Sequence, residues 1–334
     1  MTIFLSIVIP CYNVEKYLPA TLQSLRNLQD AEDCEFIFVN DGSTDNTPSL
    51  IQDFVVHDSR AIYLSQTNQG VSSARNAAIS VLKGEYFICL DGDDTLNPST
   101  IAIIRRNIAG VDALLSPVVT ISSNNNISLQ LLTIPQGHYN ILQLFQSCNL
   151  FPTAPMLVYR TDIIKSNALR FNPVIKCGEV YDFTISFFEH AQNIHVVHTP
   201  FYNYIMRNSS ATHSPNFESD ISVIHLLDHF NNIQCDWAKK TAFQTTAFRL
   251  ICSFTYNKYI KLYLLDKNTL ETLTTLFNSP QFQKLLQQLS QCCKLMLRDR
   301  LMVKYMTTLP AIKGYILLTK LYHFIKLLRP SAYC

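Results

Sequence analysis

The sequence predicts an α/β fold, a mostly parallel sheet with helices on both faces, followed by a helical C-terminal region. Three observations carry this. Continuous apolar runs of strand length alternate with segments whose apolar residues recur at helical spacing. Polar and acidic residues gather directly after those runs, where a sheet of this kind binds its ligands. From Phe217 onward strand signals fade, and Gln, Leu, Lys and Thr at helical spacing dominate. Continuous rather than alternating apolar strands indicate burial on both faces.

Leu5 to Pro10 reads as the first strand, and Leu18, Leu22, Leu25 and Leu28 mark the helix after it. Glu35 to Val39 is a second strand, leading into a helix that carries Leu50, Ile51, Phe54 and Val55. Ile62 to Leu64 leads into a helix around Ala74 to Leu82, and Tyr86 to Leu90 is a fourth strand. Ala113 to Ile121 and Ile127 to Ile134 flank Asn124-Asn125-Asn126 and read as a hairpin, with Pro155 to Tyr159 as a further strand. A domain boundary is expected near 210–216.

At 334 residues and 48% hydrophobic content the chain can bury a large core without forming a membrane bundle. The net charge of +2 hides an asymmetry: eight Lys or Arg from Lys294 onward face Asp299 alone, giving +7 there and −5 before it. A basic tail of this kind meets an anionic surface, membrane or nucleic acid. The ten cysteines include no C-x-x-C pair, which excludes a zinc ribbon and a disulfide framework as readings. The start Met1-Thr2-Ile3-Phe4-Leu5 lacks the pattern of a signal peptide, and no segment offers about 18 uninterrupted apolar residues. A cytoplasmic protein is expected, peripheral at most to the inner face of the membrane.

The four strand ends carry Pro10-Cys11-Tyr12-Asn13, Asn40-Asp41-Gly42-Ser43-Thr44-Asp45, Asn68-Gln69-Gly70 and Asp91-Gly92-Asp93-Asp94. Turns favour Asp and Gly too, but two carboxylates at i and i+2 can share a hard cation with phosphate oxygens. A calcium loop does not fit, because its sixth and twelfth positions would be Leu96 and Ala102. Asp45, with Thr47 and Pro48, suits the start of a helix. Asp41 lies nearer its strand end, where a carboxylate can accept hydrogen bonds from a base or ribose.

Ser6 to Asn13, Val39 to Asp45, Asn68 to Asn76 and Leu90 to Asp94 resemble, in order and spacing, the signatures of the inverting glycosyltransferases of family 2, which have the GT-A fold. The resemblance is close over roughly residues 3–115 and looser to about 210. It implies a nucleotide-sugar donor held by Pro10, Tyr12, Asn13, Asp41, Ser43, Arg75, Asp91 and Gly92. It also implies Mn²⁺ or Mg²⁺ on Asp93 with Asp91. Pro10 and Tyr12 would contact the nucleobase, Asp41 would hydrogen-bond it, and Arg75 would lie beside the nucleotide. The expected organisation is a catalytic domain over 1–212, with a nucleotide-sugar half at 1–115 and an acceptor-side half at 116–212, then a helical region over 213–334.

An inverting transfer needs a base for the acceptor hydroxyl. The family's Glu-Asp pair matches Gly178-Glu179-Val180-Tyr181-Asp182-Phe183, where Val180 replaces the Asp. Glu179 and Asp182 are both candidates, and both also suit a helix N-terminus. Tyr202 to Arg207 resembles the segment that closes the catalytic domain, where it would line the acceptor cleft, and reads equally as an edge strand and loop.

His225 and His229 stand four apart, but without the intervening Glu of a zinc protease, so a packed or solvated pair is expected. The Leu, Phe and Tyr residues of 243–265 read as helical core. On a helical wheel Leu317, Leu318, Leu321, Phe324, Ile325 and Leu328 share an arc that excludes Lys313, Lys320, His323, Lys326 and Arg329. Segment 313–329 thus suits an anionic membrane surface or packing on the protein.

The resemblance further implies transfer of a hexose or N-acetylhexosamine from a UDP-sugar, with inversion. The acceptor would be a glycan or glycolipid hydroxyl on a growing surface glycan such as lipopolysaccharide or capsule, and no nucleic acid is involved. The rival reading is a catalytically impaired nucleotide-sugar-binding or scaffold protein of the same fold.

Overall fold

A computed structural model describes residues 2–207, apart from 123, 125, 131, 133 and 148–151, and in the C-terminal part residues 222–238, 243, 246–247, 274–275 and 278–290. The chain divides into two compact units, Met1–Asn208 and Ser209–Cys334.

The first unit opens with β1 (Leu5–Cys11), α1 (Leu18–Arg26), β2 (Cys34–Asp41), α2 (Thr47–His57), β3 (Ala61–Gln66), α3 (Val71–Ile79) and β4 (Tyr86–Cys89). These are the expected strand-helix units, each within a few residues of its sequence limits. Every residue of β1, β2 and β4 is buried, which is why they read as unbroken apolar runs. Both α1 and α2 begin with proline in the first turn, where the missing N–H costs nothing. α1 buries Leu18, Leu22 and Leu25, and α2 sets Phe54 edge-on against Phe38, 5.4 Å between ring centres. α3 buries Ala74 and Ala78, small side chains that let its backbone lie close to β1 and β2.

Then follow β5 (Thr95–Leu96), α4 (Thr100–Asn107), β6 (Ala113–Leu115), β7 (Val118–Ile121), β8 (Ile127–Gln130), β9 (Gly137–Tyr139) and α5 (Ile141–Ser147). The unit ends with β10 (Leu157–Arg160), α6 (Thr161–Ser166), α7 (Glu179–Phe188), β11 (Ile194–Val196) and β12 (Tyr202–Ile205). The main sheet has eight strands in the order β3-β2-β1-β4-β10-β6-β11-β9, and its first four are parallel. β10 runs antiparallel to both β4 and β6. A second sheet has the order β5-β12-β7-β8.

Two sequence readings need correction. The run Ala113 to Ile121 is two strands in two sheets: Ala113–Leu115 belongs to the main sheet and Val118–Ile121 pairs with β8 in the second. Pro117 explains the break, since it has no N–H with which to continue a ladder. Tyr202 to Ile205 is no edge strand. It lies between β5 and β7 with Tyr202 wholly buried, because its partners come from segments about 80 and 110 residues away that local pattern cannot reveal.

The acidic helix α7 is fixed by aromatic packing. Phe183 stacks on Phe171 at 3.9 Å, Phe87 on Tyr159 at 5.1 Å, and the Tyr159 hydroxyl lies 3.0 Å from Thr184 Oγ1.

In the second unit α8 (Val223–Asn232) and α9 (Pro280–Ser290) pack together, and Gln281 Nε2 donates to Asp228 Oδ2 at 3.2 Å. His225 and His229 lie on α8. Segment 313–329 and most of 243–265 lie outside the described residues. Among the described residues no helix is long and apolar enough to cross a membrane.

Phe183 is wholly buried, so Phe183→Ala should cost about 3–5 kcal/mol of stability in denaturant unfolding. A loss under about 1 kcal/mol would show that α7 is held some other way.

Candidate active site

The loops after β1 and β2 are laced to each other by hydrogen bonds. Asn13 N–H donates to Ser43 Oγ at 3.1 Å, and Thr44 N–H returns to Asn13 Oδ1 at 2.8 Å. Val14 N–H reaches Thr47 Oγ1, Glu15 N–H reaches Asp45 Oδ2, and Asn46 N–H reaches Glu15 Oε2. Asp45 also accepts from Thr47 N–H at 3.0 Å, so it serves the start of α2 from a position ahead of the N-cap residue Asn46. Burial works against the Asp45 charge, but its bonds from Thr47 and Glu15 outweigh burial and hold the carboxyl below its ordinary value. Asn13 and Ser43, expected at the donor, are thus already engaged in shaping the loop that Tyr12 caps, 49% exposed. Pro10 lies buried at the strand end.

Asp41 has the same double use. Its buried carboxylate accepts from Gln66 Nε2 at 2.7 Å, Gln69 N–H at 2.9 Å and Gly70 N–H at 2.8 Å. These bonds fold the loop between β3 and α3 against the end of β2. Four acceptor directions minus three leave it one.

Arg75 links the remaining acids. Projecting from α3 and 3% exposed, it donates through Nη2 to Asp91 Oδ1 at 2.8 Å and through Nη1 to Glu179 Oε1 at 2.9 Å. Its guanidinium lies over the ring of Phe171, 5.2 Å from the centre. The next residue, Asn76, pairs with the Phe171 backbone in both directions at 2.8 Å. Burial works to lower the Arg75 pKa, yet Asp91 and Glu179 together hold it above the ordinary value. The resemblance placed Arg75 beside the nucleotide; its terminal nitrogens go to the two acids. The second oxygen of Glu179 makes no hydrogen bond to a described residue. Asp182 is buried one turn farther along α7.

The loop after β4 is fitted tightly. A Cβ on Gly92 would meet Cys11 Sγ at 3.0 Å and Pro10 O at 3.1 Å, and Gly92 O accepts from Thr21 Oγ1. Only glycine lets the two flanking carboxylates rise from so close to β1. Asp93 is paired with Arg207, whose guanidinium also lies 4.4 Å from the centre of the Tyr17 ring. Asp94, 1% exposed, turns inward and accepts from Tyr202 Oη and from Ile205 N–H, both at 2.7 Å. Tyr202 Oη in turn accepts from Asp91 N–H at 3.2 Å.

Asp94 and Asn76 had no site role in the sequence reading, and Tyr202 and Arg207 only a place in a segment that could line the acceptor cleft, although each lies in a quoted motif. Their roles depend on partners about 95 to 115 residues distant, and no local spacing signals them.

The residues fit a divalent cation that arrives with phosphates. Asp91 and Asp93 offer hard oxygen donors from one rigid loop, as Mg²⁺ and Mn²⁺ prefer. Among the described residues no group of three or more His, Cys, Asp or Glu is placed to hold a metal alone. A two-carboxylate site completed by phosphate and water is the common arrangement for such ions.

Residues 6–166 match the family described as Glycosyl transferase family 2. The chain is 36% identical over 114 residues to the glycosyltransferase GlyG of Streptococcus pneumoniae, covering 34% of this chain. It is 28% identical over 222 residues, 63% of this chain, to the Staphylococcus aureus poly(ribitol-phosphate) β-N-acetylglucosaminyltransferase TarS. It spans 38% of the length of each relative. The crystal structure of S. aureus TarS 1–349 in complex with UDP-GlcNAc superposes with a TM-score of 0.72 at 20% identity, over 96% of this chain and 91% of that one.

Burial, and after it the charge of Asp91, raise the Asp94 carboxyl to about 7. A folded-state pKa above the unfolded value means stability that is complete below the ordinary carboxylate range and lost as pH rises through 7. Asp94→Asn should remove this loss, so thermal unfolding of the variant improves relative to the parent between about pH 4 and pH 8. Parallel profiles would show that Asp94 keeps an ordinary pKa.

Proposed function

Because residues 6–166 form a Glycosyl transferase family 2 domain, we propose that this protein transfers a hexose or N-acetylhexosamine from a UDP-sugar, with inversion, to a hydroxyl of a growing surface glycan. The observation that carries the reading is the Arg75 bridge, which sets the candidate base Glu179 against the acidic loop Asp91–Asp93. A donor diphosphate bound at that loop would share its site with Glu179, through the arginine that holds both acids. A Mn²⁺ or Mg²⁺ held by Asp93 and Asp91 would supply positive charge to the leaving diphosphate.

The chain's own residues then perform three tasks. The laced loops and Asp41 present one remaining acceptor and the Tyr12 ring to the nucleobase. Arg75 holds Glu179 Oε1, leaving the second oxygen to take the proton of the acceptor hydroxyl as it attacks. Gly92 keeps Asp91 and Asp93 at a fixed height above β1. Glu179 is preferred to Asp182 as base because it shares Arg75 with Asp91. The basic segment 313–329 supports a location at the inner membrane face, where a lipid-linked glycan would be met.

Glu179→Gln should lower kcat about 10²- to 10⁴-fold with little change in donor KM, in a transfer assay with UDP-sugars and Mn²⁺. An unchanged kcat, with Asp182→Asn inactive instead, would move the base to Asp182. Asp93→Ala should abolish Mn²⁺-dependent transfer, and full retention would reject the metal assignment. A parent protein that binds UDP-sugars yet neither transfers nor hydrolyses them would favour the binding or scaffold role, for which Val180 is the sequence argument.

A further inference from the structure

Asp91 and Asp93 of the acidic loop are each paired with a guanidinium group, and the two arginines come from segments far apart in the chain. Arg75 on α3 takes Asp91, and Arg207, two residues past β12, takes Asp93. Three acids face this cluster, Asp91, Asp93 and Glu179, against two arginines, which leaves a net charge of −1. Asp94 is turned away and committed to Tyr202 and Ile205. A hard divalent cation gives up water reluctantly and needs several anionic oxygens in return. Asp91 and Asp93 each already hold a guanidinium, and among the described residues no third His, Cys, Asp or Glu is placed with them to hold a metal.

The position of Arg207 follows from the chain. Asp94 grips Ile205 N–H, Met206 N–H donates to Ile121 O at 2.8 Å, and the next side chain then reaches Asp93 with Tyr17 beneath its guanidinium. The same acidic loop therefore holds the strand that delivers the cation covering it.

We propose that Arg207 is a built-in counter-cation of Asp93, that it excludes the divalent metal from the donor-free protein, and that metal and nucleoside diphosphate therefore bind together. A diphosphate brings two or more negative charges into the cluster. That excess both recruits the cation and gives Arg207 an alternative partner, so Asp93 is released when the donor is present. This inference rests on the metal reading given above.

Mn²⁺ binding to the full chain, measured by calorimetry and by electron paramagnetic resonance of free Mn²⁺, tests it without any turnover. The parent should bind Mn²⁺ at least tenfold more weakly alone than in saturating UDP. Arg207→Gln should tighten Mn²⁺ binding in the absence of UDP by a similar factor, while Arg207→Lys, which keeps the charge, should resemble the parent. Circular dichroism confirms that each variant is folded. Equal Mn²⁺ affinity with and without UDP, or an Arg207→Gln affinity equal to the parent's, overturns the counter-cation role while leaving the metal site intact. No Mn²⁺ binding even with UDP overturns the metal reading itself, and this proposal with it.

Discussion

The buried guanidinium of Arg75 is the interaction on which the site depends. A charge so far from water is tolerable only when its partners surround it, and here they are Asp91, Glu179 and the face of Phe171. Lysine could not replace it, because the geometry asks for two separate N–H directions and a flat face. Its Nε has no hydrogen-bond partner among the described residues, a cost of the kind that persists at a site when the other contacts over-determine the side chain. Since Asp91 belongs to the strand-end loop and Glu179 begins α7, this one residue sets the distance between the two chemical halves of the site.

Three further devices hold that distance. Asn76 fastens the Phe171 backbone to α3, the Phe171–Phe183 stack carries α7, and Tyr202 joins the acidic loop to the second sheet. The first and the last link segments far apart in sequence, so the site gains rigidity from the tertiary fold rather than from its loops alone. Preorganisation of this sort is what makes electrostatic catalysis effective, because the charges need not be assembled during the reaction.

The first four strands, their helices and the loops between them were legible because buried parallel strands leave unbroken apolar runs and turns leave Gly and Asp. The second sheet was only half legible: the β7–β8 hairpin is local, whereas β12 takes its partners from distant segments. Among the site residues, position was easier to read than use. Asn13, Ser43 and Asp41 stand at the strand ends as expected, but their side chains are spent largely on neighbouring loops. Nothing in the spacing of Asp93 or Arg207 foretold that they would pair, since an ion pair 114 positions apart has no period.

The place of β12 has a consequence for how the protein divides. The stretch that matches the family ends at residue 166, yet the acidic loop within it is braced by Tyr202 and Ile205, and Arg75 finds its second carboxylate at Glu179. A fragment cut at the limit of resemblance would leave a buried arginine half-paired and Asp94 facing empty space. The stretch matched to the family is thus shorter than the stretch that must fold together, and β12, near the far end of the unit, acts as its keystone.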